Sequence, residues 1–482
     1  MKLSLIIPEL ILFCGAILLL VIDIFFNKKN QKFQFFSHLY ALVIAGLALS
    51  FAVKGFGAPQ KHFNEMLNSS AFISLLKCII ISILTIIILV SVRYIFTLEK
   101  YSSEYLALLL ISTTGGLIMI SSNDFLVFYL GLELQALSLY LLASFNTKSA
   151  QSSEAGIKYF ILGSLASGIL LFGISLIYGF SGSTNFDVVY EFISKLKPEE
   201  IPAGLVFGTI LVATAMFFKT SAAPFHRWSP DVYQGSPTSV LAFFGTAVKF
   251  TAVSALIVIA SKFAWVILTK IVILVGLLSI IVGSLGAIFQ KNIKRLLAFS
   301  SIGHLGFIFI GIANFDKNSI SVGIFYLTIY ALISVGTLTF LTIISSNSDN
   351  ESDHENDIIF NINSLAGLHK SNPIMTFSLS ALLFSTAGIP PLAGFFSKFF
   401  ILKNAINYGL IIIAIIAIII STISAFYYLR IIKIMYFDEP AHKIKLEDYG
   451  NARLVVFLSA LLNIILIIWI EPIINIIKRF IE

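Results

Sequence analysis

Several stretches of this chain run 18 or more residues without a charged side chain. That length carries an α-helix across the roughly 30 Å hydrocarbon core of a bilayer. Backbone groups in lipid find no water to bond, so only helices or a closed β-barrel can span it. The apolar runs here are continuous rather than alternating, which selects helices. The composition agrees: 58% of the 482 residues are hydrophobic and 12% are charged. The expected class is an all-α polytopic membrane protein, with membrane lipids as its surroundings. The net charge of +7 follows from basic loops on one side of a membrane and does not suggest a nucleic-acid partner. Two cysteines, Cys14 and Cys78, fall short of the about four ligands of a structural zinc or an iron–sulfur cluster. They are expected to be buried apolar thiols.

Fourteen spans are expected, near 3–26, 37–54, 71–97, 103–121, 124–145, 154–180, 201–225, 237–260, 264–289, 294–313, 318–346, 373–402, 404–431 and 453–477. The first is too long for a signal peptide and has no small-residue cleavage site in the right place. An even number puts both termini on one side. Loops after odd-numbered spans hold sixteen Lys and Arg, against about eleven in the other loops and the termini. That bias places the odd loops in the cytoplasm and both termini outside. Residues 183–197 are expected to form a short surface helix, and 347–363 an acidic, Asn-rich solvated loop.

Two spans are interrupted by proline, at FFKTSAAPFHRWSPDVYQGSP (217–237) and STAGIPPLAGFFSKFF (385–400). They fall in spans 7 and 12, five spans apart. Interruptions at corresponding positions of two halves point to a transport site, because freed backbone groups are tolerated only beside water or protein.

Charges at membrane depth point the same way. Glu133 has nine residues of its span before it and twelve after, roughly 13–18 Å from either end. Lys249 is equally central, and His304 lies about ten residues into span 10. Lys398 follows the break in span 12. Lys219 follows eighteen apolar or small residues; it would snorkel to the interface on a straight helix and is deep only if the break at Pro224 stops span 7 inside the membrane. Glu9, Asp23 and Lys77 are expected at the interface, and Glu154 with Lys158 reads as a local i, i+4 pair. One carboxylate and two or three lysines on different spans exceed what a single neutralising pair needs. Joined by water, such groups form a proton relay. The excess of lysine suits protons better than sodium, which prefers carboxylate and carbonyl oxygens.

The stretches YLGLELQALSLYLLASF (129–145), EAGIKYFILGSLASGILLFGISLIYG (154–179), FKTSAAPFHRWSPDVYQGSPT (218–238), NIKRLLAFSSIGHLGF (292–307) and AGIPPLAGFFSKF (387–399) carry a family resemblance. Together they resemble the antiporter-like membrane subunits of bacterial proton-pumping NADH:quinone oxidoreductase (respiratory complex I), within them the subunit N family and its mitochondrial subunit 2 counterparts. The resemblance covers roughly residues 100 to 430. It implies two inverted five-helix repeats with helices 7 and 12 broken. The implied division is an N-terminal three-helix segment (1–100), a first repeat of helices 4–8 (101–260), a second of helices 9–13 (261–435), and a loop with helix 14 (436–482).

The same resemblance implies that Glu133 pairs with Lys219, that Lys249 sits at the centre of a hydrophilic axis, and that Lys398 leads to the other face; His304 and Lys158 are weaker members of the path. It implies a subunit of a proton-translocating NADH:quinone reductase in the bacterial inner membrane, partnered by other complex I membrane subunits. NADH, FMN, iron–sulfur clusters and quinone would belong to the whole complex; the chain has no GxGxxG, no CxxC and no soluble domain to hold any of them, so neither cofactor, metal nor catalytic redox residue is expected in it. A subunit of a multisubunit cation/proton antiporter or of a membrane-bound hydrogenase, built on the same fold, stays open as the alternative. So does a scaffold whose buried charges merely pin helices together.

Overall fold

A computed structural model describes residues 6–26, 31–57, 59–97, 102–197, 200–262, 266–345, 358–439 and 450–481. Most of the expected acidic loop 347–363 lies outside them. Among the described residues, twelve helices are long and apolar enough to cross a membrane, and two shorter apolar helices, Ala203–Lys219 and Pro373–Ala387, open the broken spans 7 and 12. The fourteen spans run Ile7–Phe25, Gln31–Lys54, Ala71–Val90, Ser102–Ser121, Phe125–Ala143, Ala150–Ser181, Ala203–Lys219 resuming at Trp228–Gly235, Thr238–Lys262, Val266–Ile288, Ile293–Ile312, Lys317–Ser345, Pro373–Ala387 resuming at Ala393–Asn407, Ile411–Phe437 and Gly450–Ile481. Spans 4, 8, 10 and 11 are buried along most of their length, whereas spans 1, 2, 6, 13 and 14 turn Leu, Ile and Phe side chains outward. The inner helices are where polar side chains can avoid lipid.

One local arrangement occurs twice. Asp124 caps span 5 by accepting from the Leu126 amide at 2.8 Å, and it bridges to Asn185 just beyond span 6. Asn292 caps span 10 by accepting from the Lys294 amide at 2.9 Å, and it bridges to Asn361 beyond span 11. Each cap satisfies amides that a helix start leaves free, and each sits on the span that bears a candidate site residue, Glu133 or His304. The short surface helix is present as Phe186–Ser194, with Asn185 as its cap.

Four expectations are corrected. A β-hairpin pairs Gln60–His62 with Leu67–Ser69, where no strand was expected. Phe63, Asn64 and Glu65 at its tip all have positive φ, a conformation that costs a side-chain-bearing residue energy. The tip is held by Asn123 Nδ2 and Asn185 Nδ2, which donate to the Glu65 carbonyl at 3.0 and 3.1 Å. Cys14 is exposed and Cys78 half-buried, because Cys14 lies on the outward face of span 1. Glu9, Asp23 and Lys77 are buried rather than interfacial. Finally, Glu154 and Lys158 do not stand as an isolated pair, since Asp231 and Arg295 join them.

At the hairpin, Asp187 of the surface helix takes Lys262 at 2.6 Å, Lys61 at 3.1 Å and Asn123 Nδ2 at 2.7 Å. Partial burial alone would raise this carboxyl; the bonds from Lys262, Asn123 and Lys61 outweigh it and bring it down to about 2. A depressed carboxyl contributes stability above its unfolded value near about pH 4, and loses it as pH falls through the folded value. Asp187→Asn is therefore expected to speed amide exchange across residues 60–69, as read by deuterium uptake. In the wild type, protection there should persist down to about pH 4 and fade only below it. Protection already lost between neutrality and about pH 5 would contradict this account.

Candidate functional site

The break in span 7 follows from its sequence. Pro224 has no amide hydrogen to continue the helix and bars the preceding residue from helical geometry. The chain turns through Thr220–Arg227, with Ser221 at φ 56°. The groups released are met by neighbours: the Ala223 amide donates to Ser279 Oγ of span 9 at 2.9 Å, and Trp228 Nε1 donates to the Phe218 carbonyl at 3.1 Å. Lys219 is the last residue of the first half-helix, where the aligned carbonyl dipoles favour a cation. It is buried, so the depth left open by the sequence is resolved towards the interior.

Span 12 repeats the solution with different residues. Gly388, at φ 87°, ends the first half-helix in the left-handed region that glycine tolerates. Lys398, from the second half, reaches back and donates to the Ala387 carbonyl at 3.0 Å and to Ser421 Oγ at 3.0 Å. In both broken spans an ammonium thus stands at the carbonyl end of the first half.

Lys249 lies in span 8 directly after a π-helical turn, Phe244–Val248. Single π turns inside α-helices are frequent at functional positions. Its Nζ donates to Ser301 Oγ of span 10. The adjacent Ser300 bonds Tyr428 OH of span 13, which lies 3.1 Å from His304 Nε2, while His304 Nδ1 lies 2.8 Å from Tyr326 OH. Hydroxyls and a neutral imidazole each both donate and accept, so Ser300, Tyr428, His304 and Tyr326 form one group able to hand a proton along; Lys249 with Ser301 forms a second beside it on span 10. Lys219, Lys249 and Lys398 share one further feature: each ammonium lies over a ring face, Lys219 over Tyr140 at 5.6 Å, Lys249 over Tyr233 at 5.0 Å and Lys398 over Phe307 at 5.3 Å. The ring quadrupole stabilises a cation without adding a countercharge.

The implied Glu133–Lys219 pair is not closed. The two are near enough to feel each other's charge, but among the described residues they make no ion pair within 4.0 Å. Lys219 Nζ and Glu133 Oε1 each lack a hydrogen-bond partner. Lys158 stands apart from the row: its side chain is 41% exposed and binds Glu154 at 2.6 Å and Asp231 at 2.8 Å, and Arg295 takes the other Asp231 oxygen at 2.6 Å. These four line a cavity of about 160 Å³. The structure therefore bonds Lys249 to Ser301 and His304 to Tyr428 and Tyr326 on the same span 10, places Lys219 and Lys398 at equivalent breaks, and sets Lys158 at a surface cluster. Sequence reasoning missed Ser300, Ser301, Tyr326 and Tyr428. Their hydroxyls in otherwise apolar runs are the only trace, and serine and tyrosine are too common in membrane helices for that trace to single them out.

Comparison with known proteins gives consistent results. Residues 122–424 match the family described as NADH:quinone oxidoreductase/Mrp antiporter, TM. NADH-quinone oxidoreductase subunit N of Rhodospirillum rubrum is 37% identical over 96% of this chain and 93% of its own length. The subunit N of Pelagibacter ubique is 37% identical over 99% of both chains. Among solved structures, a chain of respiratory complex I from Thermus thermophilus with bound aureothin superposes with a TM-score of 0.81 at 26% identity, covering 97% of this chain and 99% of that one.

Proposed function

Because the chain belongs to the NADH-quinone oxidoreductase subunit N family, within the wider NADH:quinone oxidoreductase/Mrp antiporter membrane family, we propose that it is a proton-translocating membrane-arm subunit of an NADH:quinone oxidoreductase. Its partners are the other membrane subunits of that complex. NADH oxidation and quinone reduction take place in partner subunits, and this chain moves protons in response. It lies in a bacterial inner membrane with both termini on the periplasmic side, an orientation supported by the basic bias of the odd-numbered loops. Within it, Glu133 modulates Lys219, Lys249 is the central carrier, His304 links Lys249 towards Lys398, and Lys398 serves the exit side. Lys158 belongs to the charged cluster at the far end of span 7.

The observation that carries this reading is two buried polar groupings that meet on span 10, Lys249 with Ser301 and Ser300 with Tyr428, His304 and Tyr326. Their ionisable members lie on spans 8 and 10, which are buried along most of their length, where an ionisable group is costly and functional by default. Glu133→Gln in the assembled complex is expected to lower coupled quinone reduction and leave electron transfer from NADH to an artificial acceptor unchanged. If the charges only pin helices, the joint change Glu133→Gln with Lys219→Met would preserve pumping in full, and this reading would be wrong.

A further inference from the structure

Glu9 and Lys77 carry charge that the row from Lys219 to Lys398 does not use. Glu9 stands in the first turn of span 1 and Lys77 in the second turn of span 3. Lys77 Nζ lies 2.6 Å from Glu9 Oε1, with the two side chains only 5% and 6% exposed. At 1.5 Å per residue, Lys77 is about 9 Å below the start of its span. Glu9 Oε1 also accepts from Ser121 Oγ at 3.4 Å. Glu9 Oε2 is buried and has no hydrogen-bond partner among the described residues. A buried ion pair recovers its lost solvation only when its remaining lone pairs are bonded, and apolar side chains of similar volume often serve stability as well or better. Anchoring span 1 to span 3 is therefore a poor account of why these charges are here.

Their surroundings suggest a better one. Ser121 ends span 4, and three residues later Asp124 caps span 5, which bears Glu133. Span 3 itself packs against the π turn that precedes Lys249, and against spans 11 and 14. The pair thus sits where the N-terminal spans meet the elements that position two members of the row. It also lies outside the stretch 122–424 that matches the family.

We propose that Glu9 and Lys77 form an additional ionisable pair that sets the position of span 3 against the π turn of span 8, and so the proton exchange of Lys249. The contact between Lys77 Nζ and Glu9 Oε1 ties span 3 to span 1 by charge, and the unbonded Glu9 Oε2 leaves that tie able to shift. This inference rests on the proposed proton-pumping function.

The test uses the whole complex in membrane vesicles, reading protons moved per quinone reduced. In the joint variant Glu9→Leu with Lys77→Leu, subunit content and electron transfer to an artificial acceptor should match the wild type, while protons per quinone fall by the same share as in Lys249→Met. The exchanged variant Glu9→Lys with Lys77→Glu should recover most of the loss. Wild-type pumping in the leucine variant overturns the proposal. So does failure of both the leucine variant and the Glu9→Gln, Lys77→Met variant to assemble while the exchanged variant assembles, since the pair is then an anchor only. If Lys249→Met also pumps normally, the proposed function itself has failed.

Discussion

Lys249→Met in the intact complex is expected to slow proton transfer through this chain by on the order of a hundredfold, the lower end of what a positioned proton-transfer group contributes. Assembly should be unimpaired. An ammonium at a helix centre costs about 2.5–3.5 kcal/mol on insertion scales, so an apolar side chain of similar length removes a penalty rather than adding one. Loss of pumping with normal subunit content then reports on chemistry. Lys249→Arg separates charge from proton exchange. Arginine keeps the positive charge and the contact with the Tyr233 ring, but its guanidinium does not release a proton in proteins. It is expected to fail nearly as completely as methionine. Full pumping in Lys249→Arg would mean that Lys249 is a fixed countercharge, and its bond to Ser301 would lose its role in proton transfer.

Lys249 and Glu133 stand out in the sequence because a charge inside a long apolar run is costly wherever the run is a membrane helix, whereas the depth of Lys398 depends on how span 12 breaks. The breaks were legible for a related reason: proline within an apolar run removes a backbone donor that lipid cannot replace. What the one-dimensional pattern does not hold is which helix faces which. Tyr428 lies on span 13, a sequence separation of 124 from His304, and nothing in either stretch encodes that distance. The aromatic rings beneath the three lysines are invisible for the same reason, since 13% of the chain is aromatic and a ring near any lysine in sequence is unremarkable.

Glu9 and Lys77 show the opposite error. Position near a span end was read as exposure to the interface, but burial depends on what packs beside that end. Ser121 of span 4 and the partner charge lie against it here. The resemblance implies that Glu133 pairs with Lys219, and their unbonded geometry is informative. A carboxylate and an ammonium within mutual influence but unbonded form an element that can close. Each change in its separation alters the field felt by the other ionisable groups, because buried charges are weakly screened.

Gly394→Ala is expected to be the most damaging conservative change in the chain. Gly394 opens the second half of span 12, and its amide donates to Ser385 Oγ at 2.9 Å, which in turn donates to Asn463 Oδ1 of span 14 at 3.0 Å. A methyl group at Gly394 would stand 2.0 Å from the Ser385 carbonyl oxygen and 2.7 Å from its carbon. Those atoms belong to the backbone of the first half-helix, so no rotamer change relieves the contact and the two halves must part. Overpacking of this kind costs up to about 3 kcal/mol, occasionally more, and it also strips the freed amide of its acceptor at membrane depth. Separation would draw Lys398 away from the Ala387 carbonyl that it caps across the same gap. The expected result is reduced subunit content in membranes, and in the fraction that assembles, pumping lowered more than electron transfer to an artificial acceptor. Gly409→Ala serves as the comparison, because a side chain there meets nothing within 4 Å even though its φ of 77° strains the backbone. If Gly394→Ala assembles and pumps as well as Gly409→Ala, the close approach of the two half-helices is not what holds Lys398 in place.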